Sequence, residues 1–444
     1  MGSGNTKEKK HLVIVGGSFA GVNLIMKLKD EFKITLIDKK DYFEWICGLP
    51  QSYIGNKDYF DKKATADFHQ MVEVDKVFGN NVTFLQGMLS ELVNENLIKV
   101  KKTKGVKRDQ IEGIQEEEIH FDFLALCTGG IYRMNEDADS AKLIFSKKER
   151  QTMLNSYREN IEKASSVLVV GGGATGVETV GELLMNHGNK KRVAIITNAD
   201  SLLAGYPNNA GRIAEAHFAK KDVKVYKKTR YDPAKKLEED YDYVISCVGL
   251  YFHSEFLNKN FQSFKNERGQ IYVNKYYQVT NINPCELEKN EHVPNEKILN
   301  NIFCYGDAAL TRMNEAKNVP AIREGSYVVA HNIKQLEKES PKLKEMPYAV
   351  NMISAVYYDK WSGSLTTNKC SFFNCCIFNN KKAFEGFYFC LMKNKACGKC
   401  NWSNYNCQLN YMGCCLSLMC CGCSNREQKK QRREELKQIF GEEK

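Results

Sequence analysis

The sequence predicts an α/β protein that contains two similar β–α–β units and ends in a cysteine-rich α+β region. Two observations predict the repeated unit: short apolar runs lead into glycine clusters at Gly16 and at Gly171, and a helical pattern follows each cluster. A third observation sets the last region apart, since twelve of the 17 cysteines lie between Cys370 and Cys423. With 444 residues, 43% of them hydrophobic, the chain is long enough for several packed domains.

The first unit begins with the apolar run His11–Val15, and its second apolar run, Ile34–Ile37, ends in Asp38. The glycine-rich turn between them would let a pyrophosphate approach the helix N-terminus, and the acid would accept hydrogen bonds from a ribose. Ser18 stands where the G-x-G-x-x-G pattern has its second glycine. The predicted dinucleotide-binding residues are Gly16, Gly17, Ser18, Phe19, Ala20, Gly21, Asp38 and Lys39.

The second unit repeats this arrangement from the apolar run Ser166–Val170 onward. All three glycines of the pattern are present: Gly171, Gly173 and Gly176. The next apolar run, Val193–Ile196, ends in Thr197 and Asn198 rather than in an acid. An acid there would bind the ribose 2′-hydroxyl of NADH, so its absence leaves room for the 2′-phosphate of NADPH. The sequence predicts two Rossmann-like domains and leaves NADH or NADPH open.

Composition excludes several other classes of protein. The chain is too hydrophobic for wholesale disorder, and it contains no apolar stretch of about 18 residues that would span a membrane. The net charge of +10 is spread out, without the aromatic-interleaved basic stripe that is typical of nucleic-acid binding. The polar N-terminus shows no signal peptide, so we expect a reducing compartment and no disulfide framework.

The N-terminus fits the N-myristoylation pattern, with Gly2 second, Thr6 sixth and three lysines behind them. The alternative is an ordinary polar tail. One myristoyl chain binds a membrane only marginally, so stable anchoring requires a second signal. The interpretation therefore predicts a lipidated residue at Gly2 and a second anchor elsewhere in the chain.

The cysteine-rich segment is the candidate for that second anchor. Cys400–Asn425 carries no charge, and S-acylation of cysteines beside a lipid surface would complete the anchor. Two other interpretations stay open, an all-thiolate zinc site and a packed segment without special chemistry. A strong zinc signal needs two well-spaced C-x-x-C pairs; here Cys397–Cys400 is followed by scattered cysteines, Cys414-Cys415 and Cys420-Cys421-x-Cys423. No metal site is therefore predicted.

Several further segments make the chain resemble the two-dinucleotide-binding-domain flavoproteins. Phe121–Gly129 resembles their strand that ends in A-T-G, and Asn301–Ala308 resembles their N-I-F-A-x-G-D segment. Thr83–Leu89 and Tyr241–Gly249 also match, in the family's order, so the resemblance covers about residues 11–335. It implies FAD in the first domain and NAD(P)H in the second. The site residues that it adds are Leu89, Thr128, Gly129, Gly306 and Asp307 for FAD, and Gly249 at the strand that closes the NAD(P)H domain.

The branch of the family follows from the segment after Asp38. Disulfide reductases carry a cysteine pair there, and this chain has only Cys47. Asp41–Pro50 instead resembles type II NADH:quinone oxidoreductases and the apoptosis-inducing-factor-like ferroptosis suppressor proteins. Residues 317–325 would open a helix to about residue 336, whose N-terminus faces the flavin in these relatives. Arg323 and Glu324 replace the two adjacent glutamines of the type II enzymes.

The resemblance implies an FAD-dependent NAD(P)H oxidoreductase that passes electrons to a quinone or another acceptor at a membrane surface. The N-myristoyl signal adds the expectation that this surface is the cytoplasmic face of membranes or lipid droplets. It places Glu178 beside the nicotinamide and Lys317 beside the flavin as candidate catalytic residues. The alternatives are a reductase of a protein acceptor and a non-catalytic redox sensor or assembly factor. No nucleic-acid partner is expected.

The predicted domains are a lipidated, flexible N-terminus at 1–10, an FAD domain at 11–155 and 280–340, an inserted NAD(P)H domain at 156–279 and a cysteine-rich membrane or interface domain at 341–444. The charged segment 91–118 is expected to form an antiparallel excursion before the strand at Phe121.

Overall fold

The computed structural model describes the helices and strands of most of the chain. The described residues are 8–132, 144–206, 209–235, 237, 240–258, 260–287, 295–312, 318–346, 354–359, 362–366 and 371–373. Gly2, Lys317 and the cysteine-rich tail from residue 374 on lie outside them.

Strands outnumber helices in the described part. The strands are β1 (His11–Val15), β2 (Lys33–Asp38), β3 (Tyr42–Glu44), β4 (Thr65–Asp67), β5 (Val82–Asn94), β6 (Leu97–Lys102), β7 (Glu116–His120), β8 (Phe123–Leu126), β9 (Ile131–Tyr132), β10 (Ser166–Val170), β11 (Arg192–Ile196), β12 (Lys224–Tyr226), β13 (Tyr243–Ser246), β14 (Leu250–Tyr251), β15 (Ile271–Tyr272), β16 (Gln278–Thr280), β17 (Ile298–Cys304), β18 (Ala309–Leu310), β19 (Ser354–Asp359), β20 (Ser362–Thr366) and β21 (Ser371–Phe373).

Seven α-helices connect these strands in the described residues. They are α1 (Phe19–Leu28), α2 (Leu49–Ile54), α3 (Tyr59–Lys63), α4 (Lys147–Lys163), α5 (Ala174–His187), α6 (Asn209–Ala219) and α7 (Val319–Gln335). Shorter helical turns are Ile46–Gly48, Gln70–Val74, Arg108–Gly113, Gly188–Lys190 and Gln262–Phe264. None of the described helices is long and apolar enough to cross a membrane.

The chain divides into two units. The first contains the described residues through Lys163 and those from Val244 through Ser354. Its main sheet has eight strands in the order β16-β17-β8-β1-β2-β5-β6-β7. The five strands from β17 to β5 run parallel, and β1, in the middle of them, is buried from Leu12 to Val15. The antiparallel excursion predicted at 91–118 is present, since β5, β6 and β7 pair antiparallel.

The second unit contains Ala164–Tyr243 and the described residues from Ala355 on. Its sheet has the order β12-β11-β10-β13, with the first three strands parallel. Strand β19 packs on α5 here: the Tyr357 hydroxyl donates to Glu182, and a Cβ at Gly181 would lie 2.7 Å from the carbonyl oxygen of Tyr358. The predicted α/β class with two Rossmann-like sheets is therefore confirmed.

The boundary between the two units falls inside β13, at Tyr243 and Val244. After it the chain returns to the first unit, where β16 pairs with β17 in the eight-stranded sheet and β15 pairs with β18.

Candidate functional site

The candidate site lies where four parallel strands of the first unit end. Val15 is in register with Ile37 and with Leu126, and Cys304 is in register with Leu126. The residues that follow these strands therefore meet along one edge of the sheet, around a cavity of about 250 Å³. The predicted residues that line it are Gly16, Ser18, Phe19, Ala20, Asp38, Lys39, Leu89, Thr128, Gly129, Gly306 and Asp307.

The glycine turn after β1 leaves no space for side chains. Gly16 has φ +104°, and a Cβ there would lie 2.1 Å from the carbonyl oxygen of Cys127. A Cβ at Gly21 would lie 1.9 Å from the carbonyl oxygen of Gly16. Gly17 and Gly21 do not line the cavity; they let the turn fold tightly against α1, which begins directly after Ser18. Ser18 thus sits at the helix end where anions bind.

Asp38 is held by the backbone at the end of β2. One carboxylate oxygen accepts the Gly17 N–H at 2.7 Å, and the other accepts the Lys40 N–H at 2.9 Å. These two bonds fix the carboxylate at the rim of the cavity, and each oxygen retains capacity to accept a further donor. The geometry suits recognition of a ribose hydroxyl.

Two buried hydroxyls in the cavity indicate that it is built for a polar ligand. The side-chain oxygens of Tyr42 and Thr128 are buried and make no hydrogen bond with any described residue. Burial also raises the pKa of Tyr42 well above its usual range, so this group stays a neutral hydroxyl. Buried polar atoms are nearly always paired in native proteins, so both positions fit hydrogen bonding to a bound dinucleotide.

A buried ion pair lies beside Tyr42. The Arg150 guanidinium donates through Nε and Nη2 to one oxygen of Glu44, both at 3.1 Å, and Lys40 lies 3.7 Å from the other. Burial opposes ionisation of Glu44, but the charges of Arg150 and Lys40 hold its pKa below the usual range. All three side chains line the cavity. Their mutual contacts hold the charged groups of this wall in place.

Helix α7 presents its first turn to the cavity. The Asn318 side chain accepts the Ala321 N–H at 3.0 Å, which caps the helix, and Asn318, Val319 and Ile322 line the cavity. The helix predicted at 317–336 is thus present from Val319 onward. The N-terminal end of a helix carries partial positive charge, so α7 favours negative charge in the cavity.

The described part of the chain contains five cysteines, and two of them lie at the cavity. None of the five described cysteines is in a disulfide. Cys47 and Cys127 line the cavity, but burial raises the pKa of Cys127 well above its usual range, which keeps it a thiol. Among the described residues, no group of His, Cys, Asp or Glu side chains is placed to hold a metal ion.

The second unit places the other predicted glycines at the end of β10. Gly171 has φ +118°, and its N–H donates to the Ile196 carbonyl at 2.8 Å. Gly173 directly precedes α5, while Gly176 and Glu178 are buried on its first turns. Gly249, with φ +83°, lies between β13 and β14 rather than at the glycine turn.

Sequence reasoning missed several residues of the first cavity. Arg150 and His253 reach it from distant parts of the chain, and neither has a local pattern that marks it. His253 pairs with Glu255 at 2.6 Å. Tyr305 donates its hydroxyl to the Ala20 carbonyl and so links β17 to α1; its place before Gly306-Asp307 was the signal that could have found it.

Comparison with known protein families gives a match over most of the chain. The model of the family described as pyridine nucleotide-disulphide oxidoreductase matches residues 10–325.

Individual relatives are distant, and the matches cover from 44% to 79% of the relatives' own length. Apoptosis-inducing factor homolog A of Dictyostelium discoideum is 24% identical over 373 residues, 76% of this chain and 79% of that protein. Ferroptosis suppressor protein 1 of Xenopus laevis is 26% identical over 302 residues, 62% of this chain and 72% of that protein. A type II NADH:quinone oxidoreductase of Staphylococcus epidermidis is 26% identical over 196 residues, 40% of this chain and 44% of that protein.

Solved structures share the fold. NDH2 of Plasmodium falciparum, solved in complex with NADH, aligns with a TM-score of 0.63 at 14% identity. The alignment covers 87% of this chain and 98% of that one.

Proposed function

Because the chain belongs to the pyridine nucleotide-disulphide oxidoreductase family and its cofactors are FAD and NAD(P)H, we propose that it oxidises NAD(P)H and reduces a quinone-type acceptor at a membrane surface. FAD would occupy the domain at 11–155 and 280–340, and NAD(P)H the inserted domain at 156–279. The region 341–444 would contact the membrane.

The observation that carries the proposal is the cavity at the ends of β1, β2, β8 and β17. Its glycine turn, the carboxylate of Asp38 and the unpartnered hydroxyls of Tyr42 and Thr128 fit FAD. The other described cysteine of the cavity besides Cys47 is Cys127, which burial keeps a thiol, and a thiol–disulfide relay needs two reactive sulfurs. Electrons would therefore leave to an external acceptor, as the name of the Staphylococcus epidermidis relative states for that enzyme.

The residues of the chain would bind and orient the reactants. When bound, FAD accepts a hydride from the nicotinamide and passes the electrons on. Asp38 would accept hydrogen bonds from the ribose, and the turn at Gly16 would let the backbone approach the pyrophosphate. The N-terminus of α7 favours negative charge in the cavity. Glu178 would orient the nicotinamide, and Lys317 would supply positive charge.

The membrane part of the proposal rests on the two ends of the sequence. A myristoyl chain on Gly2 and acylated cysteines between Cys370 and Cys423 would together give stable anchoring, which one chain alone does not. The protein would then act at the cytoplasmic face of membranes or lipid droplets, where quinones dissolve.

An anaerobic visible spectrum tests the reaction. The purified protein is recorded alone, after NADH or NADPH, and after a short-chain quinone. The expected result is flavin absorbance that bleaches with nucleotide and recovers with quinone, and a sample without quinone controls for reoxidation by residual oxygen.

Other outcomes choose among the alternatives. Bleaching without recovery rejects quinone and favours a protein acceptor, which a ferredoxin-like protein in place of the quinone would reveal. If the protein binds flavin but neither NADH nor NADPH bleaches it, the proposed enzyme activity is rejected. The remaining alternative is then a non-catalytic redox sensor or assembly factor.

A further inference from the structure

The second glycine unit differs from the first at the position that contacts the ribose. In both units the first glycine donates its N–H to the last apolar residue of the second strand: Gly16 to Ile37 at 2.7 Å, and Gly171 to Ile196 at 2.8 Å. Thr197 is therefore the structural counterpart of Asp38.

Thr197 keeps the local hydrogen bond of the acid but not its charge. The Thr197 hydroxyl accepts the Ala199 N–H at 3.2 Å, just as Asp38 accepts the N–H two residues ahead of it. The remaining function of Asp38, a carboxylate that receives ribose hydroxyl donors, is lost at Thr197. The hydroxyl retains a proton to donate, which suits an anionic ligand.

A basic segment is bound to this loop by the backbone. Strand β12 ends at Tyr226, and the next four residues are Lys227, Lys228, Thr229 and Arg230. Thr197 N–H donates to the Tyr226 carbonyl, Thr229 N–H to the Thr197 carbonyl and Lys228 N–H to the Ala199 carbonyl, at 2.9–3.0 Å. The left-handed backbone at Lys228, with φ +53°, turns the segment toward the loop.

The basic side chains of this segment differ in the ion pairs that they form within the protein. Lys227 pairs with Glu215 at 2.9 Å, whereas Lys228 lies 3.4 Å from Asp200 in a pair that is exposed on both sides. Arg230 is exposed and forms no ion pair with any described residue. An exposed pair is weak, so Lys228 is free to exchange Asp200 for a phosphate.

We propose that the second unit selects NADPH over NADH, with Lys228 and Arg230 binding the 2′-phosphate and Thr197 donating its hydroxyl to it. The inference rests on the proposed function, since it names the nucleotide that feeds the same site. A phosphate dianion gains charge-assisted hydrogen bonds from a lysine and an arginine, and arginine presents a bidentate fork. NADH lacks the phosphate and finds no carboxylate for its 2′-hydroxyl at Thr197.

Calorimetric titration of the flavin-loaded protein tests this without turnover. The probes are 2′,5′-ADP, which carries the 2′-phosphate, and 5′-AMP, which does not. We expect 2′,5′-ADP to bind at least about tenfold more tightly, and Lys228→Asn or Arg230→Ala to weaken it about five- to tenfold each while 5′-AMP is unchanged. Asparagine tolerates the left-handed backbone at 228. Lys227→Ala, beside them but paired with Glu215, is the matched control.

The converse variant is Thr197→Asp, which places an acid at the position that Asp38 has in the first unit. It should raise the kcat/KM for NADH relative to the kcat/KM for NADPH. Equal affinity for the two probes, or variants at 228 and 230 that leave 2′,5′-ADP unchanged, would overturn the inference. Selective 2′,5′-ADP binding without quinone reduction would uphold it and reject the proposed acceptor, so the two failures are distinguishable.

Discussion

Gly16 is a residue of the cavity at which the backbone leaves no room for a side chain. Its φ of +104° and the carbonyl oxygen of Cys127, which would lie 2.1 Å from a Cβ atom, both exclude a side chain. We expect Gly16→Ala to lose bound flavin and to lower the melting temperature, because the turn must open to accept the methyl group. The flavin-to-protein absorbance ratio and a thermal melt measure this.

The control for Gly16→Ala is Gly113→Ala, where a Cβ would meet nothing within 4 Å. It should retain full flavin content. Equal flavin content in the two variants would show that the turn at Gly16 does not shape the site.

Glu44 and Arg150 form a buried ion pair that stabilises the fold only while both charges are present. Glu44→Gln leaves the buried Arg150 charge without its main partner, so we expect a loss of about 3–5 kcal/mol in the free energy of unfolding. Since the pKa of Glu44 is held below its usual range, its contribution is present above that range and is lost as pH falls through the lowered pKa. Urea denaturation at neutral pH measures the difference.

Two further variants check the cause. Asp58→Asn breaks the exposed pair with Lys62 and should be close to wild type. Glu44→Leu combined with Arg150→Met removes both charges and should lose less stability than Glu44→Gln alone; a larger loss would contradict the argument.

At the scale of elements, α1 and α7 pack together with a lysine between them. Lys27 on α1 lies 3.3 Å from the ring centroid of Tyr327 on α7, and it is half-buried. Burial, with the nearby charge of Arg323, lowers the pKa of Lys27 to about 8 from 10.5. The native state therefore releases this proton near pH 8, whereas the unfolded chain keeps it to higher pH.

We therefore expect the free energy of unfolding of the wild type to rise between about pH 8 and pH 10.5. Lys27→Met has no proton to release at this position, so its free energy of unfolding should lack this rise. Denaturant midpoints of wild type and variant at pH 8 and pH 10 measure the difference, with the exposed Lys220→Met as control. A gap between wild type and Lys27→Met that stays constant with pH would contradict the assignment of the lowered pKa.

Elements with a local pattern were predictable, and contacts between distant elements were not. Both glycine turns, the excursion of β5 to β7 and helix α7 follow from the spacing of glycine and apolar residues. Arg150 meets Glu44 across 106 positions, and His253 reaches the same cavity from beyond the inserted unit, so no window of sequence contains either contact.

At the scale of the whole molecule, we expect membrane association to depend on Gly2. Gly2→Ala removes the acceptor for the N-myristoyl group and leaves only the acylated cysteines as an anchor. Because stable membrane binding takes two lipid signals, the variant should bind membranes weakly. Flotation of the expressed protein on a density gradient should show wild type with membranes or lipid droplets and the variant shifted to the bottom fractions. Ser3→Ala, next to it, is the control, and an unchanged distribution of Gly2→Ala would reject lipidation as the anchor.

The discontinuous first unit also sets an order of events on the ribosome. Strand β17 pairs with β8, yet the whole sheet of the second unit, β10 to β13, is synthesised between them. At a translation rate of about 5–20 residues per second, β17 is synthesised roughly 10–35 s after β8. Throughout that interval one side of β8 is an open edge that another nascent chain can join. The cavity of the first unit cannot close until Gly306 and Asp307 emerge, and β19, which packs on α5 of the second unit, emerges later still. The protein is therefore completed late in translation, and its yield should depend on chaperones that shield that edge.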